Sequence, residues 1–295
     1  MCDRRLAAGA LLLVGCAASP APGPPAPPAA STAPPVASTV PAAKVVPEMV
    51  RIPAGTFPMG SEDGEPDEKP LHDVRVATFE MDTTEVTGVA YAACVLAGAC
   101  AAAPKQIAWS GATDADHRVY DEFCNDDRAD RRSHPVNCVD WTMADTYCRW
   151  ARKRLPTEEE WEYAARGPEG RTFPWGAAPP SPDVVNGCGD ECASEMRTRG
   201  RQLKALYAGS DHWPFTSPVA RYPANPFGLY DMAGNVWEWT ASRYCPYGTS
   251  SCEDPRRVAR GGSWQVVDWT MLRGADRSPY DPSTRNTSIG FRCAR

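Results

Sequence analysis

The hydrophobic and polar pattern over residues 50–59, in which Val50 and Ile52 and then Phe57 and Met59 stand at alternate positions, predicts a strand running into a turn at Gly60-Ser61. Residues 64–71 are charged and read as a loop; alternation over 72–79 predicts a second strand. From Thr84 the period lengthens to that of a helix, with Val86, Val89, Ala90 and Ala93 on one face and Gly98 as its stop. The polar stretch 101–133 predicts a long loop, of the kind that is functional or pinned, and Cys100 and Cys124 can pin it. Residues 135–139 read as a short buried strand, and Ala144, Tyr147, Cys148 and Ala151 recur at helical spacing. After a break at Arg154-Leu155-Pro156, Thr157-Glu158-Glu159-Glu160 is a capping box. It opens another short helix that carries Trp161, Ala164 and Ala165 and ends at Gly167. Beyond 168, Gly, Pro and Asp recur too often for long elements, and only short strands at 257–260 and 289–294 can be placed. So little regular structure in about 245 residues predicts one domain that leans on tryptophan cores, disulfides and bound ions.

Composition adds a leader to this picture. The 295-residue chain has a net charge of -6, 30 prolines, 12 cysteines and 10 tryptophans. The acidic balance and the lack of a Lys/Arg cluster argue against a nucleic-acid partner. Past residue 20 no apolar run is long enough to span a bilayer. Within residues 1–16, Arg4 and Arg5 precede an apolar run that stops at Leu13-Val14-Gly15-Cys16. That string resembles a bacterial lipobox, which implies that Cys16 is acylated, becomes the mature N-terminus and holds the chain at a lipid bilayer. The alternative is an ordinary signal peptide cleaved among Ala17-Ala18-Ser19. Ala17, rather than Asp, after the cysteine is similar to lipoproteins of the outer membrane. Residues 17–48 are almost all Pro, Ala, Ser, Thr and Val. They cannot bury a core and favour extended polyproline geometry, a tether with a reach of about 90 Å.

The domain expected over 49–295 keeps ten cysteines, and an even number behind an export signal predicts disulfides. Zinc is the competing use, but no Cys-x-x-Cys occurs and His72, His117, His134 and His212 stand singly.

Several strings then follow one another in order. They include Ile52-Pro53-Ala54-Gly55-Thr56-Phe57-Pro58-Met59-Gly60, Pro135-Val136-Asn137-Cys138-Val139-Asp140-Trp141 and Arg154-Leu155-Pro156-Thr157-Glu158-Glu159-Glu160-Trp161-Glu162-Tyr163-Ala164-Ala165-Arg166-Gly167. Phe173-Pro174-Trp175-Gly176, Gly228-Leu229-Tyr230-Asp231-Met232-Ala233-Gly234-Asn235-Val236-Trp237-Glu238-Trp239, Arg260-Gly261-Gly262-Ser263-Trp264 and Gly290-Phe291-Arg292-Cys293 come later. Together they resemble the formylglycine-generating enzyme (sulfatase-modifying factor) family over essentially all of 49–295. The resemblance implies an irregular α+β fold related to C-type lectins. It also implies a copper-dependent oxidase that converts a substrate cysteine to formylglycine. Its Cu(I) would sit on two cysteines, three and eight residues after the Ser of the Gly-Gly-Ser turn, because soft thiolates suit that ion. Counted from Ser263, those positions hold Val266 and Met271. A lone Met is more often packing than a ligand, so the expectation is a chain without catalytic residues or copper.

The resemblance further implies a disulfide between Cys148 and Cys293, and a second bridge at positions that are Ala165 and Asp276 here. Closely spaced Cys188/Cys192 and Cys245/Cys252 would staple local loops. Cys94, Cys100, Cys124 and Cys138 admit three connectivities, of which Cys94 with Cys138 and Cys100 with Cys124 is preferred. In Asp231-Met232-Ala233-Gly234-Asn235-Val236-Trp237-Glu238 two carboxylates flank a tight turn, and the carbonyls of Gly234 and Val236 can point between them. Such hard oxygens suit Ca²⁺; the plain alternative is a hairpin turn with Asp231 and Glu238 as surface charges. The resemblance places one calcium on Asp231, Gly234, Val236 and Glu238. It places a second on Asn186, the Gly187 carbonyl, Asp211 and the Trp213 carbonyl.

Ser263 has no His nearby in sequence, so a hydrolase triad is unsupported. Arg273 and Arg277 flank the altered copper positions; they bind an anionic ligand or, the favoured use, pair with Asp268 or Asp276. Two functions of different class remain. The preferred one is a non-catalytic, calcium-stabilised binding module, lipid-anchored in the bacterial envelope. It would offer Ser263, Trp264, Trp269, Arg273 and Arg277 to an envelope protein, peptide or glycan. The other is an oxidoreductase with altered oxidative-maturation chemistry, formylglycine generation being the least favoured form.

Overall fold

Pro53 has no N–H to give to a ladder, and the first alternating run is accordingly two strands, β1 (Met49–Ile52) and β2 (Gly55–Met59). The second run, expected over 72–79, ends early as β3 (His72–Val76), and after a bend, across which Ala54 N donates to Thr78 Oγ1 at 3.1 Å, a further strand β4 (Phe79–Asp82) follows. Antiparallel pairs β1–β4 and β2–β3 result. The structure, a computed structural model, describes residues 47–249 and 252–295. Cys16 and the tether up to residue 46 lie outside the described residues.

The first helix, α1 (Gly88–Leu96), starts later than Thr84 because 83–86 is spent in extended pairing. Thr83 N bonds the Glu48 carbonyl and Val86 N that of Phe291. Thr87 then caps the helix, its Oγ1 accepting from Ala90 N. The expected loop 101–133 contains a further helix, α2 (Asp114–Tyr120), opened by a capping box at Thr113. The disulfides here are Cys94–Cys100 and Cys124–Cys138, which corrects the preferred connectivity. The chain turns back directly after α1, so that Cys100 N bonds the Cys94 carbonyl. Asn137 draws 123–125 beside 137–138: Asn125 N donates to its Oδ1 at 2.6 Å and its Nδ2 donates to the Phe123 carbonyl at 2.9 Å. Residues 135–139 are buried, but Cys138 has a φ of 57° and the stretch makes only a single bridge, from Pro135 to Thr87, in place of the expected strand.

Helix α3 (Trp141–Trp150) is capped by Asp140, and α4 (Glu158–Arg166) by Thr157, ending at Gly167 as the sequence predicts. Cys148 on α3 is bonded to Cys293. Helix α5 (Asp190–Thr198), absent from the sequence expectation, is stapled at its start by Cys188–Cys192. The remaining sheet has the order β7 (Arg277–Tyr280), β6 (Arg257–Arg260), β5 (Trp237–Arg243), β8 (Ile289–Gly290), with β8 parallel to β5. The strand expected over 289–294 is thus two residues long. Cys245–Cys252 closes the loop between β5 and β6. The whole is an α+β fold with short elements around buried tryptophans: Trp161 over β1–β4, Trp237 and Trp239 against α3, and Trp264 against α5. Among the described residues no helix is long and apolar enough to cross a membrane.

Candidate functional site

Gly261 and Gly262 follow β6 with φ of 99° and 73°. A Cβ on Gly262 would lie 2.7 Å from the Met271 carbonyl oxygen, so the 269–272 turn closes over this bend only because the residue is glycine. Ser263 and Trp264 point inward and are each 1% exposed. Trp264 donates to the Thr287 carbonyl and meets Phe123 and Phe215 edge-on. Both are therefore core residues rather than walls of a ligand pocket. Arg273 grips Glu68 at 2.5 and 2.8 Å, and Arg277 grips Glu158 at 2.7 and 2.8 Å. They ion-pair, as favoured, but not with the expected partners: Asp268 instead caps the 269–272 turn through Thr270 N. A guanidinium whose fork is filled by a carboxylate is not available to an anionic ligand. Of the five pocket residues only Trp269 is open to solvent, at 51%. It shares the surface with exposed Val267 and Met271, and Phe173, stacked on Trp175, lies 6.1 Å from its ring. Val266 is buried.

The residues of the second calcium set are brought together. Asn186 and Asp211 are buried, and Asn186 Nδ2 lies 3.0 Å from Asp211 Oδ2, 3.5 Å from the Trp213 carbonyl oxygen and 3.0 Å from that of Phe215. The Tyr207 hydroxyl joins Asp211 Oδ2 (2.8 Å) to the Gly187 carbonyl (3.3 Å). Asn186 Oδ1 is buried without a partner. Burial raises the Asp211 carboxyl to about 7, the neighbouring Glu191 carboxyl adding to it. Carboxylate and carbonyl oxygens thus gather around the Asn186 amide, and with that amide turned over so that Oδ1 faces them the set fits a hard cation. Among the described residues no three His, Cys, Asp or Glu side chains converge as a metal site, so an ion here would rest partly on neutral oxygens.

The first set differs from expectation. Asp231, Gly234 and Asn235 all have positive φ, and a Cβ on Gly234 would lie 2.2 Å from the Asn186 carbonyl oxygen, so the two turns pack against each other. Glu238, however, is neither a surface charge nor a free ligand. It pairs with Arg292 through two 2.7 Å bonds and accepts from Trp161 Nε1 at 2.8 Å. The unpartnered buried oxygens are Asp231 Oδ1 and Glu85 Oε2, and burial raises the Asp231 carboxyl to about 6. Glu85 and Glu191 carried no sequence signal: neither has a spacing that relates it to the turn it touches.

A family model described as "Sulfatase-modifying factor enzyme 1-like domain" matches residues 35–295. The formylglycine-generating enzyme of Streptomyces coelicolor is 36% identical over 294 residues, covering 83% of this chain and 88% of that protein. The inactive C-alpha-formylglycine-generating enzyme 2 of Bos taurus is 33% identical over 281 residues, covering 83% and 87%. Among solved structures, PvdO from Pseudomonas aeruginosa superposes with a TM-score of 0.60 at 29% identity, over 84% of this chain and 94% of that one.

Proposed function

Because the chain belongs to the sulfatase-modifying factor family of formylglycine-generating enzyme-like proteins, we propose that it is a non-catalytic member of it. In this reading it is a calcium-stabilised binding module, held in the bacterial envelope by an acylated Cys16. The observation that carries the reading is the state of the cysteines. All ten of the domain are paired in disulfides. No thiolate is left beside the Gly261-Gly262-Ser263 bend to hold a cuprous ion, for which a buried Val266 and a solitary thioether at Met271 are poor replacements. The residues present do not fit copper. That the Bos taurus relative is named as inactive supports the existence of such members.

The contact surface in this reading is the exposed apolar turn of Val267, Trp269 and Met271 beside Trp175, which Arg273 ties to Glu68 from behind. An aromatic anchor on a rigid support suits recognition of a protein, peptide or glycan. Calcium would be held by Asn186, Asp211 and the carbonyls of Gly187 and Trp213, and would join the 186–187 turn to the 211–213 loop as a structural ion.

The test is turnover. The purified protein, supplied with copper, oxygen and a cysteine-containing sulfatase peptide, is expected to consume no oxygen and to leave the peptide mass unchanged; conversion of the peptide overturns the reading. A Cys16→Ser variant is expected to move from the membrane to the soluble fraction, and retention at the membrane would remove the anchor from the proposal. The oxidoreductase reading keeps one point in its favour, the enzyme name of a relative at 36% identity. Oxygen uptake without formylglycine formation would select it.

A further inference from the structure

We propose that Glu191 is an additional ligand of the cation at the Asn186–Asp211 turn, supplied by α5 and held in place by the Cys188–Cys192 disulfide. The proposal rests on the calcium reading above and adds a residue to it.

Glu191 lies in the first turn of α5. Its Oε1 accepts from Asp211 N at 2.9 Å, and its side chain is within hydrogen-bonding reach of the Asp211 carboxyl. Its other oxygen, Oε2, is buried with no partner, packed against Gly189, where a Cβ would come within 2.8 Å of it. Two carboxyl groups at contact need either a shared proton or a positive charge between them. Among the described residues neither has a Lys, Arg or His to supply it. A second, independent observation lies in the same turn: the amide oxygen of buried Asn186 is also without a partner. Its NH₂ group meanwhile donates into the cluster of oxygens that a cation would gather. Turning that amide over would present Oδ1 to the same point, an exchange that leaves the heavy-atom outline unchanged.

The charge and the donor number then agree. With the shared proton displaced, Glu191 and Asp211 together carry two negative charges, which neutralise one divalent ion. With Asn186 Oδ1 and the carbonyls of Gly187 and Trp213 they make five protein oxygens, to be completed by water to the six to eight that Ca²⁺ takes. The disulfide sits where it controls this geometry. Cys188 directly follows the Gly187 carbonyl and Cys192 directly follows Glu191, so the bond fixes the spacing of two ligands. Both sulfurs are fully buried, which protects that spacing.

The experiment titrates Ca²⁺ by calorimetry into the chelator-stripped full-length protein. In parallel, Tb³⁺ luminescence excited through Trp213 is recorded, with lifetimes in H₂O and D₂O counting the waters on the ion. Glu191→Gln is expected to weaken Ca²⁺ binding at this site at least ten-fold and to add one or two waters to bound Tb³⁺, with circular dichroism and the Cys188–Cys192 bond unchanged. Glu191→Asp is expected to fall between. Asp211→Asn is expected to abolish the site. If Asp211→Asn abolishes binding while Glu191→Gln keeps the wild-type affinity and water count, the Glu191 assignment is overturned and the calcium reading survives. If the wild-type protein binds no Ca²⁺, or Asp211→Asn binds as well as wild type, the site reading fails and Glu191 falls with it. Should Asp211→Asn not fold, the lifetime measurement on Glu191→Gln decides alone: an unchanged water count refutes ligation.

Discussion

Arg260 ties several elements together through one side chain. Fully buried on β6, it reaches Glu158 at 2.6 Å and Glu162 at 2.8 Å and donates to the carbonyls of Gly274 and Asp276. Arg277 shares Glu158, and Arg166 shares Glu162 at 2.5 Å, so three arginines and two glutamates close a buried web between α4, β6 and β7. Removing one partner of a buried pair strands the other charge, and Arg260→Leu is expected to cost about 3–5 kcal/mol in urea unfolding. Arg154→Ala, which breaks a more exposed pair with Glu160, is expected to cost no more than about 1 kcal/mol. From the sequence, Glu158 read as a helix start; it also closes an ion pair 102 residues away, and no local pattern announces that. Asp276 is the complementary case. Burial, reinforced by Glu68, raises its carboxyl to about 7 from the ordinary 3.8. The folded state therefore holds a proton that the unfolded state releases, and stability falls as pH rises from about 4 to 7. Asp276→Asn is expected to flatten that slope and to gain on the order of 1–3 kcal/mol at pH 8, read from unfolding midpoints across the pH range; an unchanged slope would refute this origin.

At the scale of elements, the helix opened by Thr157 was legible to the residue. Its side chain accepts from Glu160 N and Glu160 returns the bond to Thr157 N, an exchange written within four adjacent residues. Helix α5 was not legible: its buried face is only Cys192, Ala193 and Met196, in a window dominated by charge. The disulfides divide in the same way. Cys188–Cys192 and Cys245–Cys252 follow from proximity in the chain, whereas the pairing of Cys124 with Cys138 depends on Asn137 gathering both segments. Replacing Cys124 and Cys138 together by Ala removes a loop constraint of 14 residues and is expected to cost about 3 kcal/mol by chain entropy. Peptide mapping without reduction should recover Cys94 with Cys100 and Cys124 with Cys138; a Cys100–Cys124 peptide would contradict the fold of this region.

At the scale of the whole molecule, short elements are tied together by contacts between distant parts of the chain. Cys148–Cys293 spans 145 residues, Arg292 reaches Glu238, and the turns at 186 and 234 rest on each other through Asn235 N and the Asn186 carbonyl. A structural ion beneath those turns would add a further tie. Chelation is then expected to lower Tm by about 5–10 °C, reversibly on return of Ca²⁺, from the coupling of binding to folding; an unchanged Tm would remove calcium from the scaffold. The sequence alone determined the family, the α+β class, the helix caps, and the Cys188–Cys192 and Cys245–Cys252 bridges, because each is carried by adjacent residues or by strings whose order is itself the signal. Only the tertiary structure decided that Trp264, Arg273 and Arg277 belong to the interior, that Glu238 belongs to Arg292, and that Glu85 and Glu191 stand beside candidate ions. Those outcomes depend on which charges and rings meet after some hundred residues of chain have folded back, and burial and ion pairing are properties of that meeting.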